Sequence, residues 1–478
     1  MERRETLFIG GEWVAPASDR QIEIVSPWTE TVVAEVPEAT EADVDRAVAA
    51  ACGAFDSGAL AVDVSQRADW LAAIASGIRD RGDEIASLIT LEMGSPALFS
   101  NLGQVLPCHV VFDQFAELAR TYEFEEERAG MLGKVIVRKV PVGVTAAIIA
   151  WNVPLFLASL KVGAALAAGS PVVLKPAPEA PLSLFVLAEI CESAGLPAGA
   201  LNVVPAGREV GEYLVRHPGV DKVSFTGSTA AGRKVAAICG EQLKRCTLEL
   251  GGKSAAIVLD DADLEAAVPL MLPNATMNTG QACLAQTRIL APRRRYEEVV
   301  AAVTAGVEAM TVGDPSDMAT VVGPLVAERQ RDRVEGYLES GRDEGAVVTT
   351  GGRRPAALDH GWFVEPTVLR DVDNSMRVAR EEIFGPVVVV IPYEDDDDAV
   401  RIANDSEYGL SGSVWTSDPE RGVAIAERIR TGTVGVNAIG TLDFGSPFGG
   451  FKASGIGREL GPEGIEEYLE FQSIIVGA

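Results

Sequence analysis

The sequence predicts an α/β protein built on a parallel sheet wound by crossover helices. Two features carry that expectation. From about residue 142 onward, short β-branched runs alternate with amphipathic stretches, and glycine or proline marks each exchange. The strand candidates are also apolar on both faces, as strands covered by helices on either side must be.

Taken along the chain, residues 41–120 read as mostly helical. Glu41-Ala42-Asp43 puts acidic groups in a first turn, and alanine-rich repeats suit close helix packing. Five strand candidates follow, at 144–150, 172–175, 201–204, 222–226 and 246–250, which makes this stretch a nucleotide-fold candidate. Between the second and third, Leu182, Phe185, Val186 and Ile190 share a helical face, and Gly195 with Pro197 closes the helix. Residues 251–450 open a second α/β series, with strands at 255–259, 387–391 and 412–415 and a glycine-rich finish over 445–461. The acidic run Asp395-Asp396-Asp397-Asp398 precedes Ala399-Val400-Arg401-Ile402, so it reads as a solvated helix N-terminus rather than a metal site.

The chain has 478 residues, more than one hydrophobic core usually organises, so two or three domains are expected. Its 41 basic and 69 acidic side chains give a formal charge of −28. Such a chain repels phosphate backbones and anionic lipid, which disfavours nucleic-acid and membrane-surface partners and favours small-molecule chemistry. The six cysteines lie far apart without a CxxC pair, so neither a zinc site nor a disulfide framework is indicated, and reduced thiols in the cytoplasm fit. The start is charged and its apolar run, Leu7-Phe8-Ile9, is too short for a secretory signal. Residues 140–160 are uncharged and long enough to span a membrane, but Pro141, Gly143, Asn152 and Pro154 interrupt them, so they read as a buried strand followed by a buried helix.

Several segments suggest chemistry. Cys283 ends Asn278-Thr279-Gly280-Gln281-Ala282-Cys283, where glycine lets the backbone bend around a reacting centre; a buried structural thiol is the alternative. A nucleophilic thiol needs a base or a stabilising dipole. His109, His217 and His360 do not obviously supply one. Glu249, at the end of an apolar strand in Leu248-Glu249-Leu250-Gly251-Gly252-Lys253, is the better base, because desolvation raises a carboxyl pKa toward neutrality. Gly252-Lys253-Ser254 evokes a phosphate loop, but the first glycine such a loop requires falls at Thr247. Phe225-Thr226-Gly227-Ser228 ends a strand and opens a helix whose free N–H groups suit a pyrophosphate. Asn152, before Val153-Pro154, offers an oxyanion donor or a simple turn residue, and Lys175 ends a strand where ligand phosphates or hydroxyls commonly bind.

Together these segments resemble the aldehyde dehydrogenase superfamily over essentially the whole chain. The resemblance rests on Trp151-Asn152, Lys175-Pro176, Phe225-Thr226-Gly227-Ser228, Leu248 to Lys253, Gly280 to Cys283, Glu382-Ile383-Phe384-Gly385-Pro386 and Ser446-Pro447-Phe448-Gly449-Gly450, in the family's order. It implies a Rossmann-type cofactor domain from 1–120 and 142–250, an α/β catalytic domain from 251–452, and a β oligomerisation arm from 121–141 and 453–478. The implied reaction is oxidation of an aldehyde to an acid through a cysteine thioester, with NAD, or NADP, as cofactor and no metal. Cys283 is then the nucleophile, Glu249 the general base and Asn152 the oxyanion donor. Cofactor contacts fall on Trp151, Lys175, Gly227, Ser228, Leu250, Glu382 and Phe384.

The chain departs from many NAD-preferring members at Pro178, where they carry a glutamate that binds the adenosine ribose; Glu179 lies one residue along. Val153, Leu160, Leu284, Leu442 and Phe448 occupy the family's substrate-tunnel positions, and none is basic. An uncharged, hydrophobic aldehyde, aliphatic, aromatic or terpenoid, is expected from that lining. The resemblance further implies a homodimer or homotetramer. Transfer of the acyl group to coenzyme A is the rival chemistry, opposed by Glu249, and a catalytically silent relative is opposed by the trio Cys283, Glu249 and Asn152.

Overall fold

The computed structural model describes residues 2–131, 133–440 and 442–477. Residues 1 and 478, at the outer ends of the first and last expected segments, lie outside the described residues, as do 132 and 441. Two large sheets dominate. The first has eight strands, in the order Gly455–Ile456, Arg245–Glu249, Lys222–Thr226, Thr145–Ile148, Val172–Lys175, Leu201–Val203, Leu7–Ile9, Glu12–Val14. Its five central strands are parallel, and antiparallel strands close both edges. Of the parallel strands the chain lays down Thr145–Ile148 first, adds two on one side, then crosses back to add Lys222–Thr226 and Arg245–Glu249 on the other. That reversal opens a crevice at the carboxyl ends of the strands that flank it.

The second sheet has seven strands, in the order Val347–Thr350, Thr367–Arg370, Val387–Tyr393, Arg288–Pro292, Ala255–Val258, Gly412–Trp415, Gly435–Val436. Only the outer pair at Val347–Thr350 is antiparallel. A third sheet joins Leu469–Gly477, Gly133–Pro141 and Glu125–Gly130 into an antiparallel arm. A fourth, of Glu2–Arg3, Val32–Pro37 and Gln21–Val25, was not anticipated; it packs Ile24, Ala34 and Val36 against Leu182 and Phe185.

The uncharged run over 140–160 resolves into the Thr145–Ile148 strand and the Pro154–Ala168 helix, every residue of which is buried. Each leucine or phenylalanine buried there contributes about 1.5–3 kcal/mol, which explains the absence of a polar face. No helix among the described residues is long and apolar enough to cross a membrane. Asp395 caps the Asp396–Asn404 helix by accepting from the Asp398 N–H at 2.9 Å, and no described group of His, Cys, Asp and Glu could hold a metal ion.

Two expectations need correction. Strand edges move by one or two residues, as at 144–150, where the ladder runs only over Thr145–Ile148, because hydrogen-bonded register and not apolar character ends a strand. The segment 453–478 does not serve the arm as a unit. Gly455–Ile456 pairs with Leu248 and Glu249 at the edge of the first sheet, Gly461–Glu466 is helical, and only Leu469–Gly477 joins the arm.

Candidate active site

A cleft of about 530 Å³ lies at the crevice where the first sheet reverses direction. Asn152, Glu249 and Cys283 border it, together with Trp151, Lys175, Gly227, Ser228, Leu250, Glu382 and Phe384. Lys175 and Glu249 end strands of the first sheet, whereas Cys283, Glu382 and Phe384 lie on connections between strands of the second. None of the three histidines borders it.

Cys283 is delivered by a contorted segment. Asn278 and Thr279 take left-handed φ values of 52° and 60°, and Gly280 follows at 72°. A side chain at Gly280 would sit 2.1 Å from the Gly385 carbonyl oxygen, so this turn admits only glycine there. Polar side chains hold the distorted backbone. Asn278 Nδ2 donates to the Asn152 carbonyl at 2.8 Å, Asn152 Nδ2 donates to the Gln281 carbonyl at 3.0 Å, and Gln281 Oε1 accepts from the Val326 N–H at 3.0 Å. The amide of Asn152 is thereby pinned beside the cysteine. Only one of its two N–H bonds is needed for the Gln281 carbonyl, so the other is free to meet a negative oxygen.

Glu249 ends the Arg245–Glu249 strand and is 2% exposed. Neither of its carboxylate oxygens has a well-formed hydrogen bond among the described residues. Burial pushes its pKa up to about 8; Glu459 adds to the rise, while the Lys161 ammonium and the Cys283 thiol oppose it. Behind Glu249, Lys161 and Glu459 close on one another as a buried ion pair. The Cys283 thiol is pushed well above its ordinary value, first by burial and then by Glu249 and Glu382. The resting thiol is therefore protonated, and Glu249, which keeps its own proton up to about 8, can accept the thiol proton once ionised.

The remaining residues suit a dinucleotide. Ser228 caps the Thr229–Gln242 helix, accepting from the Ala231 N–H at 3.3 Å, so the positive end of that helix opens on the cleft. Lys175 is buried, donates from Nζ to the Ala206 carbonyl at 2.6 Å, and is pushed down to about 8 by burial. At the other end, Glu382 Oε1 accepts from the Gly252 N–H at 3.0 Å, and burial pushes its carboxyl up to about 7. Phe384 holds a left-handed φ of 62° and meets Trp151 edge-on, with ring centroids 5.4 Å apart. Cations and a helix N-terminus at one end and a carboxylate with aromatic rings at the other fit the phosphates, ribose and flat ring of a nicotinamide dinucleotide.

Residues 13–474 match the aldehyde dehydrogenase family. The chain belongs to that family. It is 48% identical to geranial dehydrogenase of Castellaniella defragrans over 470 residues, 98% of each chain, and 43% identical to 3-succinoylsemialdehyde-pyridine dehydrogenase of a Pseudomonas species over 471 residues, again 98% of each. Among solved structures, an aldehyde dehydrogenase of Mycobacterium tuberculosis complexed with NAD+ superposes with a TM-score of 0.97 at 50% identity, covering 99% of this chain and 98% of that one. An aldehyde dehydrogenase variant of Pseudomonas syringae, complexed with NAD+ and octanal, gives 0.95 at 42% identity, covering 98% and 96%. The protein is thus an NAD-dependent enzyme that oxidises aldehydes.

In this aldehyde dehydrogenase the residues expected to line the substrate tunnel pack in the apolar region that also borders Cys283. Leu160, Leu284 and Phe448 belong to the large apolar cluster against which Val153, Leu442 and Cys283 pack, and Leu157 of the same cluster borders the cleft. Leu160 is 1% exposed because the Pro154–Ala168 helix, apolar all round, turns its side chains into the core, and Phe448, bridged to Glu459, is 3% exposed. Glu179 lies off the cleft, ion-paired with Arg329. Sequence reasoning missed Gln330 and Arg333, which border the cleft and donate to the carbonyls of Phe384 and Glu382 at 2.7 and 2.6 Å. No local signal marked them, since Gln and Arg on the polar face of the Glu328–Asp343 helix look like ordinary surface residues.

Proposed function

We propose that this enzyme converts an uncharged, hydrophobic aldehyde to the free acid, with Cys283 as nucleophile, Glu249 as base and Asn152 as oxyanion donor. The observation that carries the reading is the contact between the Cys283 thiol and the buried Glu249 carboxyl, with the pinned Asn152 amide beside them. Glu249 takes the thiol proton as sulfur bonds to the aldehyde carbon, and the negative oxygen is received by Asn152 Nδ2 and the Cys283 N–H. The chemistry that NAD+ supplies when bound is acceptance of a hydride. Once Glu249 has released the thiol proton to solvent, it deprotonates the water that cleaves the acyl group from Cys283, which favours hydrolysis over transfer to coenzyme A. On the cofactor side, Lys175, Gly227 and Ser228 hold the adenosine ribose and pyrophosphate, Glu382 the second ribose, and Trp151, Leu250 and Phe384 pack about the ring. Pro178 provides no carboxylate against a 2′-phosphate, so NADP is an alternative cofactor.

The apolar residues around Cys283 support the substrate class, as do the names of two relatives, one a geranial dehydrogenase and one solved with octanal. The cofactor domain is assigned to 1–120 and 142–250 and the catalytic domain to 251–452, in a cytoplasmic homodimer or homotetramer. The exposed side chains of Phe471 and Ile475 on the edge strand of the arm support self-association. Steady-state assays of NADH formation test the reading. Terpenoid, long aliphatic and aromatic aldehydes should give the highest kcat/KM and a free-acid product with or without coenzyme A. Succinate semialdehyde or betaine aldehyde far ahead of them would overturn it.

A further inference from the structure

We infer that Cys239 and Cys246 form a redox-active dithiol, a modification site outside the catalytic cleft that peroxide closes to a disulfide before it reaches Cys283. Cys239 lies in the last turn of the Thr229–Gln242 helix, and Cys246 is the second residue of the Arg245–Glu249 strand. Between them Leu243 caps the helix in the left-handed region at φ 56°, and the Lys244 N–H donates to the Cys239 carbonyl at 2.9 Å. The chain doubles back there, so the helix end and strand start pack together, with Cys239 in an apolar cluster and Cys246 against it, which brings the two thiols close enough to interact. Both are free cysteines. A pair already in contact needs only a small approach to reach disulfide geometry.

The two thiols are unequal. Cys239 is 1% exposed, whereas Cys246 is half-buried and open to a dissolved oxidant. Cys246 is pushed down by its interaction with Cys239 and by the Lys222 ammonium, against burial and Glu467. The same interaction and burial push Cys239 up, with Lys244 and Lys222 opposing. Cys246 is therefore the attacking sulfur and Cys239 the resolving one, while Cys283 rests as a thiol raised by burial and Glu249.

The chemistry balances with hydrogen peroxide as the oxidant. The Cys246 thiolate bonds to one peroxide oxygen, the O–O bond breaks, and the departing oxygen leaves as water once protonated. The Cys239 sulfur then attacks the sulfenic sulfur; the S–S bond forms, the S–O bond breaks, and hydroxide leaves with the Cys239 proton as a second water. Two thiols lose two electrons, and one peroxide becomes two waters.

The test uses the full-length enzyme treated with equimolar hydrogen peroxide, alkylated and digested with trypsin. Cleavage after Lys234, Lys244, Arg245 and Lys253 places the two cysteines in peptides 235–244 and 246–253. The proposal expects these peptides joined and lighter by two hydrogens than their sum, Cys283 still open to alkylation, and titratable thiols reduced from six to four. Cys246→Ser and Cys239→Ser should each abolish the joined species, and Cys246→Ser should lose activity to peroxide several-fold faster than the unmodified enzyme. Oxidation of Cys283 with peptides 235–244 and 246–253 unjoined, or equal peroxide resistance of Cys246→Ser, would overturn the proposal. Because the mapping counts thiols and not turnover, its outcome is separable from the assignment of Cys283 as nucleophile.

Discussion

Asn152 Nδ2 donates to the Gln281 carbonyl at 3.0 Å, which fixes a side chain of the first α/β unit to the backbone that leads into Cys283. The bond aligns an amide with a thiol more than a hundred residues away in sequence, and it is made before any substrate arrives. Preorganisation of this kind lets a donor act on a developing charge without reorganisation at the moment of reaction. Asn152→Ala should therefore lower kcat by ~10²–10³ while leaving NAD+ affinity, read by fluorescence quenching, close to that of the unmodified enzyme.

The pH dependence follows from Glu249. Burial sets its pKa at about 8, and a base must be ionised to act, so hydrolysis of the acyl-enzyme should rise with pH through that value. Glu459 raises the Glu249 pKa and Lys161 lowers it. Glu459→Gln removes the raising charge and should move the limb to lower pH in single-turnover measurements. An unmoved limb would show that another group titrates there.

The same carboxyl affects stability. Glu249 has an ordinary value of 4.5 and holds its proton to about 8 in the folded chain. A raised folded pKa means that the stabilising protonated form is complete below about 4.5 and lost as pH rises through about 8. Glu249→Gln never acquires the buried charge. Its melting temperature should pull ahead of the unmodified enzyme's across that window, with the two closest at the acid end.

The Lys161–Glu459 pair is buried at 0% and 3% side-chain exposure. Lys161→Met strands a carboxylate in the core and should cost about 3–5 kcal/mol in urea unfolding. Lys161→Met with Glu459→Leu removes both charges and should recover most of that loss. Additive losses in the double variant would argue against direct pairing.

Gly252 passes so close to the catalytic segment that a Cβ there would lie 2.3 Å from the Cys283 carbonyl oxygen. Its N–H also donates to Glu382. Gly252→Ala should displace both residues, and a shift of about 1 Å at a reacting centre costs on the order of 10²-fold in rate. Measured kcat and the rate of Cys283 alkylation should fall together.

Much of this was legible along the chain. The alternation of apolar runs and amphipathic stretches marked the parallel strands, and 172–175, 222–226 and 412–415 fall where the ladders run. The Asp395 cap and the Ser228 helix start were readable because a capping side chain acts on N–H groups only a few residues away. At Leu160 and Phe448, both buried, apolar character along the chain does not distinguish a tunnel lining from plain core, because both suit the same side chains.

By itself the sequence determined which groups exist and where strands and helices begin, because those depend on neighbours close in the chain. It also carried the motifs by which the family can be recognised. Only the tertiary structure decided that Glu249 is buried against Cys283, that Cys283 is held as a thiol, that Lys161 meets Glu459, and that Gly455–Ile456 leaves the arm for the first sheet. Each of these depends on residues distant in the chain, since desolvation and Coulomb interaction act through space and a pKa is set by whatever packs around the group.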